Sequence, residues 1–333
     1  MAKTVRVCHF SKLKIKQNGN IYPCCVAPAS TKIGNVFDEN VIEEIENADV
    51  ICECPMYKSV KKEKGQKPEL NYIHYETSNV CQASCVCCPQ NKAPMENESA
   101  LLQRINMLIE HYQPKNVTAI GGEILVQNEA FEMLFDLHKK YPNMKIHTIT
   151  NLCVGEERIK KAEEIFDEMT VSMLGFTPLT YKNEMGLDLE KVMKNFMYLY
   201  ENKKVELRPK YLAMPTNLFE IVPFFKWALS LDLNKIYLHN IHEFAKVANL
   251  DDKYWVKTFA KLEKEMKELF EENKEKMCKA SREKAEKVFD IKRVIKVYDS
   301  ILDGTISQNT DIEQWNNQFI ALACSFIAKN ILT

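Results

Sequence analysis

The sequence has almost no net charge and no long apolar segment. Its 45 basic and 46 acidic side chains leave a formal net charge of −1 over 333 residues, so no overall field recruits nucleic acid or an anionic membrane. No apolar run approaches the roughly 20 residues of a membrane-spanning helix. Residues 1–10 lack the apolar core of a signal peptide. We therefore expect a cytoplasmic protein in a reducing compartment, without nucleic-acid or membrane partners.

Cysteine is present in an unusual number and arrangement. Twelve cysteines occur, of which four lie between residues 81 and 88. In a chain of this length without an export signal, grouped cysteines indicate metal or redox chemistry rather than disulfides. Five more lie in the first 54 residues: Cys8, Cys24, Cys25, Cys52 and Cys54. The scattered Cys153, Cys278 and Cys324 are typical of small buried apolar residues.

The middle of the chain alternates between strand and helix patterns. Amphipathic helices separate the strands, as in the segment that carries Leu101, Ile105 and Leu108. Six strands that alternate with helices indicate parallel pairing with right-handed crossovers. The sequence therefore predicts an α/β fold that closes as a partial (β/α)6 parallel barrel. The predicted strands are Tyr72–Thr77, Asn116–Ile120, Lys145–Thr150, Thr170–Leu174, Val205–Leu212 and Lys235–His239.

The two ends of the chain have different patterns from the barrel. Near the start, Leu13–Lys16, an Asn-Gly step and Ile21–Tyr22 predict a hairpin, and a helix is predicted from Glu39 to Ala48. After residue 245, apolar residues recur at helical spacing from Trp255 to Phe270 beside a Lys/Glu-rich face. We predict a small cysteine-rich N-terminal module (1–66), the barrel (67–245) and a C-terminal helical extension (246–333).

The cysteine group at 81–88 follows the first barrel strand directly. It reads Cys81-Gln-Ala-Ser-Cys85-Val-Cys-Cys88 and so lies at a strand's carboxyl end, where barrel enzymes keep their active sites. Three thiolates can hold three irons of a four-iron cluster, and the fourth iron is then open to bind another molecule. The alternative is a structural zinc site that also uses Cys87.

The spacing of Cys81, Cys85 and Cys88 resembles the cysteine motif of the radical S-adenosylmethionine (radical SAM) superfamily. The resemblance implies an oxidoreductase in which a 4Fe–4S cluster binds S-adenosylmethionine at its open iron and cleaves it reductively. The 5′-deoxyadenosyl radical so formed abstracts a substrate hydrogen atom. A cellular reductant such as flavodoxin or ferredoxin is implied as a partner. The sequence departs from the family at Cys87, where an aromatic residue near the adenine is usual.

Further motifs resemble cofactor-binding positions of the same superfamily. Gly121-Gly122-Glu123 ends the second barrel strand, where the family receives the methionine amino group. Asn151 follows the third strand, Ser172 resembles a serine of the fourth strand that contacts the cofactor, and Asn217 resembles an asparagine found after the fifth. With Arg208, discussed next, the predicted cofactor-binding residues are Gly121, Gly122, Glu123, Asn151, Ser172 and Arg208.

The fifth barrel strand carries charged residues on one face. Glu206, Arg208 and Lys210 alternate with apolar residues that should pack on helices, so the charged face should point into the barrel. There Arg208 would suit a carboxylate or a phosphate. The alternative is that these charged residues lie at a strand end that is exposed to solvent. By the same alternation His74, Glu76 and His239 face the interior, and the candidate catalytic residues are Glu76, Arg208 and His239.

The N-terminal cysteines resemble the opening of the SPASM domain, which carries auxiliary iron–sulfur clusters in many radical enzymes. Cys8 is followed by ten residues, Gly19, four residues and Cys24. The resemblance implies one auxiliary 4Fe–4S cluster on Cys8, Cys24, Cys52 and Cys54, with Cys25 as a substitute ligand. In those relatives the module usually follows the barrel, whereas here it precedes it. A zinc-bound module is the alternative, because four cysteines also satisfy tetrahedral zinc.

The substrate class follows only from the resemblance. SPASM-bearing relatives often modify peptides or proteins, so a maturase-type enzyme with a peptide or protein substrate is expected, and a small molecule or sugar is the alternative. The auxiliary cluster would assist electron transfer from a substrate radical or ligate the substrate. A non-catalytic iron–sulfur carrier or sensor would explain the cysteines but not Gly121-Gly122-Glu123. A zinc-dependent nucleic-acid module would need a basic face with interleaved aromatic residues, which the sequence lacks.

Overall fold

Strands and helices alternate along the chain in the order that the hydrophobic pattern predicts. The structure is a computed structural model. It describes residues 10–24, 27, 29–50, 67–88, 90, 97–214, 216–231, 233, 235–240 and 252–273.

The strands are short and lie before or between helices. They are β1 (Lys12–Ile15), β2 (Asn20–Tyr22), β3 (Gly34–Asn35), β4 (Tyr72–Glu76), β5 (Asn116–Ile120), β6 (Lys145–Thr150), β7 (Glu168–Met173), β8 (Glu206–Ala213) and β9 (Tyr237–Asn240). The helices are α1 (Val41–Asn47), α2 (Glu98–Tyr112), α3 (Asn128–Lys140), α4 (Glu156–Ile165), α5 (Pro178–Met185), α6 (Leu189–Asn202), α7 (Ile221–Ser230) and α8 (Asp252–Asn273).

The chain divides into two compact units, and the first contains β1–β6 with α1–α4. In its sheet β4, β5 and β6 pair in parallel, as predicted. The predicted hairpin is also present, because β1 pairs antiparallel with β2, with Gly19 (φ +80°) between them. On its other edge β1 pairs in parallel with β4, so that Lys14 lies opposite His74. The N-terminal hairpin thus extends the sheet that carries the predicted cysteine loop.

The core of the first unit lies on one face of this sheet. Along β4, Ile73 and Tyr75 are fully buried, while the alternate residues Tyr72, His74 and Glu76 are half-buried. Helix α2 buries one apolar stripe that includes Ile105 and Leu108. Each such side chain contributes about 1.5–3 kcal/mol when it leaves water. Burial of these side chains therefore stabilises the first unit.

The second unit contains residues 83–88, most of β7 and α6, and all of α5, β8, α7, β9 and α8. Strand β8 pairs in parallel with β9 and lies beside β7. Its core includes an aromatic cluster in which Phe224 contacts Phe176, Tyr211 and Trp227 at centroid distances of 5.0–5.9 Å. Aromatic pairs at this spacing add stability beyond their buried area.

The observed elements agree with most of the predicted ones. Strand bounds differ by two residues at most, as in β7, which begins at Glu168 rather than Thr170. Helix α8 includes the whole segment in which apolar residues recur at helical spacing. The parallel pairs confirm an α/β fold with a parallel sheet, whereas barrel closure and the domain boundaries stay predictions. Among the described helices, none combines the length and the apolar character needed to cross a membrane.

Candidate active site

The segment before Cys81 is held against the loop that follows β5. Beyond the end of β4, the Thr77 N–H donates to the Ile120 carbonyl oxygen at 2.7 Å. The Gly122 N–H donates to the Ser78 carbonyl oxygen at 2.5 Å. The chain therefore leaves β4 along a fixed path, and Cys81 lies beyond the carboxyl end of this strand as predicted.

The two glycines permit this close approach. A methyl group at Gly122 would overlap the carbonyl oxygen of Val80, and one at Gly121 (φ +153°) would overlap the Thr77 hydroxyl. The family resemblance predicts that glycine lets the backbone approach the cofactor. In the structure the glycines also let two loops of the chain approach each other, a role that the motif alone does not indicate.

Glu123 is buried, with only 1% of its surface exposed. Its carboxylate accepts hydrogen bonds from the Thr150 hydroxyl and the Asn151 N–H, both at 2.7 Å, and from the Leu125 N–H at 3.1 Å. Burial raises the pKa of Glu123, and these three hydrogen bonds oppose the rise. The carboxylate thus ties the loop after β5 to the loop after β6. Its predicted contact with the methionine ammonium stays a prediction.

Asn151 lies next to the first predicted cluster ligand. Its Nδ2 is 3.9 Å from Cys81 Sγ, within hydrogen-bonding distance for sulfur. Its Oδ1 accepts from Gln82 Nε2 at 3.0 Å and from the Cys153 N–H at 2.9 Å. Gln82 also donates to the Cys153 carbonyl oxygen at 3.0 Å. Sequence reasoning placed Asn151 at the site but missed Gln82, which only its position inside the cysteine motif indicates.

In the second unit, helix α5 supports the turn that carries Cys85 and Cys88. The Ser84 N–H donates to the Met185 carbonyl oxygen at 2.8 Å, and the Val86 N–H donates to the Glu184 carbonyl oxygen at 3.0 Å. These carbonyl groups belong to the last turn of α5 and have no partner within the helix. The Cys88 N–H donates to the Cys85 carbonyl oxygen at 3.2 Å, a tight turn that brings both residues within about 7 Å.

Cys87 and Lys210 influence each other's protonation. Burial raises the pKa of the Cys87 thiol, and the charges of Cys88 and Glu184 act in the same direction. Burial lowers the pKa of Lys210 to about 8, and the charge of Cys87 opposes this shift. A partly buried cation therefore lies near the cysteine turn, on the charged strand that the alternation identifies.

A row of polar side chains crosses the sheet of the first unit. Lys14, His74, Thr118 and His147 lie in register on β1, β4, β5 and β6. Lys14 Nζ is 2.6 Å from a Glu76 carboxylate oxygen and 3.3 Å from His74 Nε2. Thr118 Oγ1 is 3.1 Å from His147 Nδ1. The predicted catalytic Glu76 is therefore paired with a lysine of the N-terminal hairpin, a contact that sequence reasoning missed.

Arg208 and His239, both in the second unit, differ in their partners. Arg208 is buried and its Nε donates to Glu206 at 2.8 Å. Although burial alone would raise the pKa of Glu206, the hydrogen bond and charge of Arg208 lower it. The His239 ring contacts the Tyr237 ring at 6.0 Å. Ser172 is half-buried on β7. The cofactor-binding and catalytic roles of these residues stay predictions.

Asn217 and Glu220 connect the ends of β7 and β8. The Asn217 amide is fully buried, donates to the Leu174 carbonyl oxygen at 2.8 Å and accepts from the Met214 N–H at 2.8 Å. Glu220, which sequence reasoning missed, accepts from the Thr177 hydroxyl at 2.6 Å. No local motif signals Glu220, because its partner lies 43 residues away. Both residues hold loops at the carboxyl edge of this unit's strands.

The thiols of the cysteine loop have the donor chemistry that a 4Fe–4S cluster requires. The described cysteines, none of which is in a disulfide, are Cys24, Cys81, Cys85, Cys87, Cys88 and Cys153. An N–H group aimed at Cys81 Sγ suits a thiolate, the form that ligates iron. Within the described residues, no group of three His, Cys, Asp or Glu side chains is close enough to hold a metal ion. The ligand set Cys81, Cys85 and Cys88 therefore stays a prediction.

The predicted auxiliary ligands lie mostly outside the described residues. Cys8, Cys25, Cys52 and Cys54 belong to the undescribed part of the chain. Cys24 is half-buried and follows β2 by two residues. The auxiliary cluster and its ligands stay predictions.

One family model matches part of the chain. Residues 75–216 match the family model described as the radical SAM superfamily. This region contains the cysteine loop, Gly121-Gly122-Glu123 and strands β5 to β8. This part of the chain is therefore similar to a radical SAM domain, and the match covers less than half of the chain. No curated protein matches the chain.

Several solved structures are similar to part of the chain. SuiB from Streptococcus suis bound to the precursor peptide SuiA is 13% identical, with a TM-score of 0.49 over 61% of this chain and 47% of that one. Native anSMEcpe with bound AdoMet is 22% identical, with a TM-score of 0.41 over 51% of each chain. BtrN in complex with AdoMet and 2-DOIA is 16% identical, with a TM-score of 0.31 over 42% of this chain and 56% of that one. The matched part spans about half the length of these structures.

Proposed function

We propose that this protein is a radical SAM enzyme, in which Cys81, Cys85 and Cys88 hold a 4Fe–4S cluster. The observation that carries the proposal is the coincidence of three features in residues 75–216. These are the family match, the cysteine motif at the carboxyl end of a parallel strand, and the glycine loop packed against the chain before Cys81. When bound, the cluster supplies the electron that cleaves S-adenosylmethionine and so starts hydrogen abstraction from the substrate.

The residues of the chain have supporting roles in this proposal. Gly121 and Gly122 allow the loop after β5 to approach the segment before Cys81, and Gly122 and Glu123 fix the loops there through hydrogen bonds. Ser172 and Asn151 are proposed to contact the cofactor. Glu76, Arg208 and His239 are proposed to face the substrate as catalytic residues, and Arg208 also to bind the cofactor.

We propose a peptide or protein as substrate and a maturase-type reaction. The support is the SPASM-like spacing of the N-terminal cysteines, on which we also propose the auxiliary 4Fe–4S cluster with Cys8, Cys24, Cys52 and Cys54 as ligands. A flavodoxin or ferredoxin of the cytoplasm is the proposed electron donor. A small molecule or sugar remains the second substrate class, because its polar groups would suit the row of polar side chains from Lys14 to His147.

The proposal is tested on protein purified and reconstituted without oxygen. Iron and zinc are counted, dithionite and S-adenosylmethionine are added, and 5′-deoxyadenosine is measured. We expect deoxyadenosine from the wild-type chain and none from Cys85→Ala. Cys153→Ala, which removes a free thiol outside the motif, should retain it. Zinc without deoxyadenosine in the wild type would refute the enzyme, and iron without deoxyadenosine would favour an electron carrier.

Cys87→Ala separates the cluster from the zinc alternative. A cluster on three cysteines does not use Cys87, so the variant should load the same iron as the wild type. A tetrahedral zinc site on all four cysteines would lose a ligand and bind its metal more weakly. The iron and zinc content of the variant after dialysis decides between the cluster and the zinc site.

A further inference from the structure

The hydrogen-bond partners of the Asn151 side chain show which way its amide group faces. Its Oδ1 lies 2.9 Å from the Cys153 nitrogen, and a backbone N–H can only donate. The oxygen of the amide must therefore face Cys153, and the NH2 group faces Cys81 Sγ at 3.9 Å. Gln82 Nε2 donates to the same Oδ1 at 3.0 Å and reinforces this orientation.

The backbone of Asn151 is anchored to the glycine loop. Its N–H donates to the Glu123 carboxylate at 2.7 Å, and the neighbouring Thr150 hydroxyl donates to the other oxygen of that carboxylate at 2.7 Å. Both Glu123 and Asn151 are buried. The Asn151 NH2 group thus belongs to a fixed hydrogen-bond network. It therefore need not reorient when the charge on Cys81 Sγ changes.

From this geometry we propose that Asn151 is a positioning residue that donates a hydrogen bond to Cys81 and raises the reduction potential of the cluster bound there. The inference rests on the proposed function, because it requires a cluster on Cys81. Reduction transfers one electron from an external reductant to the cluster and breaks no bond. It makes the sulfur ligands more negative, so an N–H donor stabilises the reduced form more than the oxidised form.

The test compares the reduction potential of the reconstituted cluster in the wild type, in two Asn151 variants and in one control variant. Asn151→Leu removes the donor, and Asn151→Asp keeps the acceptor for Cys153 but replaces the donor with a carboxylate oxygen. We expect the ratio of reduced to oxidised cluster at a fixed potential to fall about threefold to tenfold in Asn151→Leu. That is a downward shift of about 30 to 60 mV for a one-electron couple. The added negative charge in Asn151→Asp should give a larger shift in the same direction.

Thr150→Val is the matched control. It removes a hydrogen bond to Glu123 in the same network and leaves the Asn151 donor in place. Its potential should equal that of the wild type, whereas its stability should fall. Potentials are read from redox titrations followed by electron paramagnetic resonance, with iron counted in each sample.

The outcomes separate this inference from the proposed function. Wild-type potential in both Asn151 variants, with the wild-type iron content retained, would overturn the inference while deoxyadenosine formation still supports the enzyme. Shifted potentials in a protein that makes no deoxyadenosine would support the inference and refute the proposed reaction. If neither Asn151 variant holds the iron that Thr150→Val holds, Asn151 acts in cluster assembly and its effect on the potential is refuted.

Discussion

Gly122 has no side chain at a point where the carbonyl oxygen of Val80 occupies the space that a Cβ would need. We predict that Gly122→Ala destabilises the protein by about 1–3 kcal/mol, the usual cost of an overpacked site. The segment before Cys81 must also shift, so less iron should be loaded per chain. Urea denaturation and iron analysis of the reconstituted variant measure the two effects.

Gly155→Ala is the matched control for this change. Nothing lies within 4 Å of a Cβ built on Gly155, so any change in stability should stay within about 1 kcal/mol. Equal stability and iron content in Gly122→Ala and Gly155→Ala would show that the contact with Val80 is not needed to fix the cysteine loop.

His74 makes stability depend on pH. Burial lowers its pKa from 6.5 to about 3, and the charges of Lys14 and His147 add to this shift, with Glu76 also facing the same row. Between these values the unfolded chain binds a proton that the folded chain does not. Stability therefore falls as the pH decreases through 6.5 and continues to fall towards 3, by at most about 1.4 kcal/mol per pH unit.

The measurement is the free energy of unfolding between pH 4 and 8, for the wild type and His74→Gln. The variant lacks the imidazole and should show a smaller slope below pH 6.5. Nuclear magnetic resonance of the His74 ring gives the pKa directly, and a titration midpoint near 6.5 would contradict the burial seen here.

At the scale of elements, Asn217 connects the end of β7 to the end of β8. Asn217→Ala leaves the buried Met214 N–H and Leu174 carbonyl group without their partner, which should cost about 2–4 kcal/mol of stability. The exposed Asn202 at the end of α6 provides the control, since Asn202→Ala should change stability by less than about 0.5 kcal/mol. Unchanged stability with weakened binding of S-adenosylmethionine would instead make Asn217 a cofactor contact.

The elements were largely predictable because their signals are local. Alternation of apolar and polar residues marks β4 and β6, and the apolar stripe of α2 is apparent at helical spacing. The alternation on β8 predicted less well. Arg208 is buried there together with its apolar neighbours Leu207 and Pro209, and Glu206 provides a partner for the buried arginine.

The partners of the site residues were not predictable from the sequence. Motif spacing places Glu123 and Asn151 near Cys81, but it does not say that a 2.7 Å hydrogen bond joins the first two across 28 residues. Such hydrogen bonds depend on how strands pair and where loops turn. Local sequence patterns do not determine these features, because the partners are far apart in the sequence. For the same reason the ion pair of Lys14 with Glu76 appeared only when β1 was seen beside β4.

At the scale of the whole molecule, the N-terminal segment combines a structural and a proposed redox role. Strand β1 extends the parallel sheet, and Cys24 follows the hairpin by two residues. An auxiliary cluster that uses Cys24 would therefore be held by a segment fixed to that sheet. Loss of this auxiliary cluster should lower the iron content of the protein without removing the cluster on the Cys81 loop.

We therefore predict about eight irons per reconstituted wild-type chain, from two four-iron clusters. Cys8→Ala and Cys24→Ala should each lower this to about four irons and still form 5′-deoxyadenosine in the absence of substrate, because the remaining cluster cleaves the cofactor. Cys153→Ala should retain about eight irons. About four irons with one zinc in the wild type would mean that the N-terminal cysteines form a structural zinc site. In that case a substrate radical would need another electron acceptor, and the argument for a peptide substrate would lose its main support.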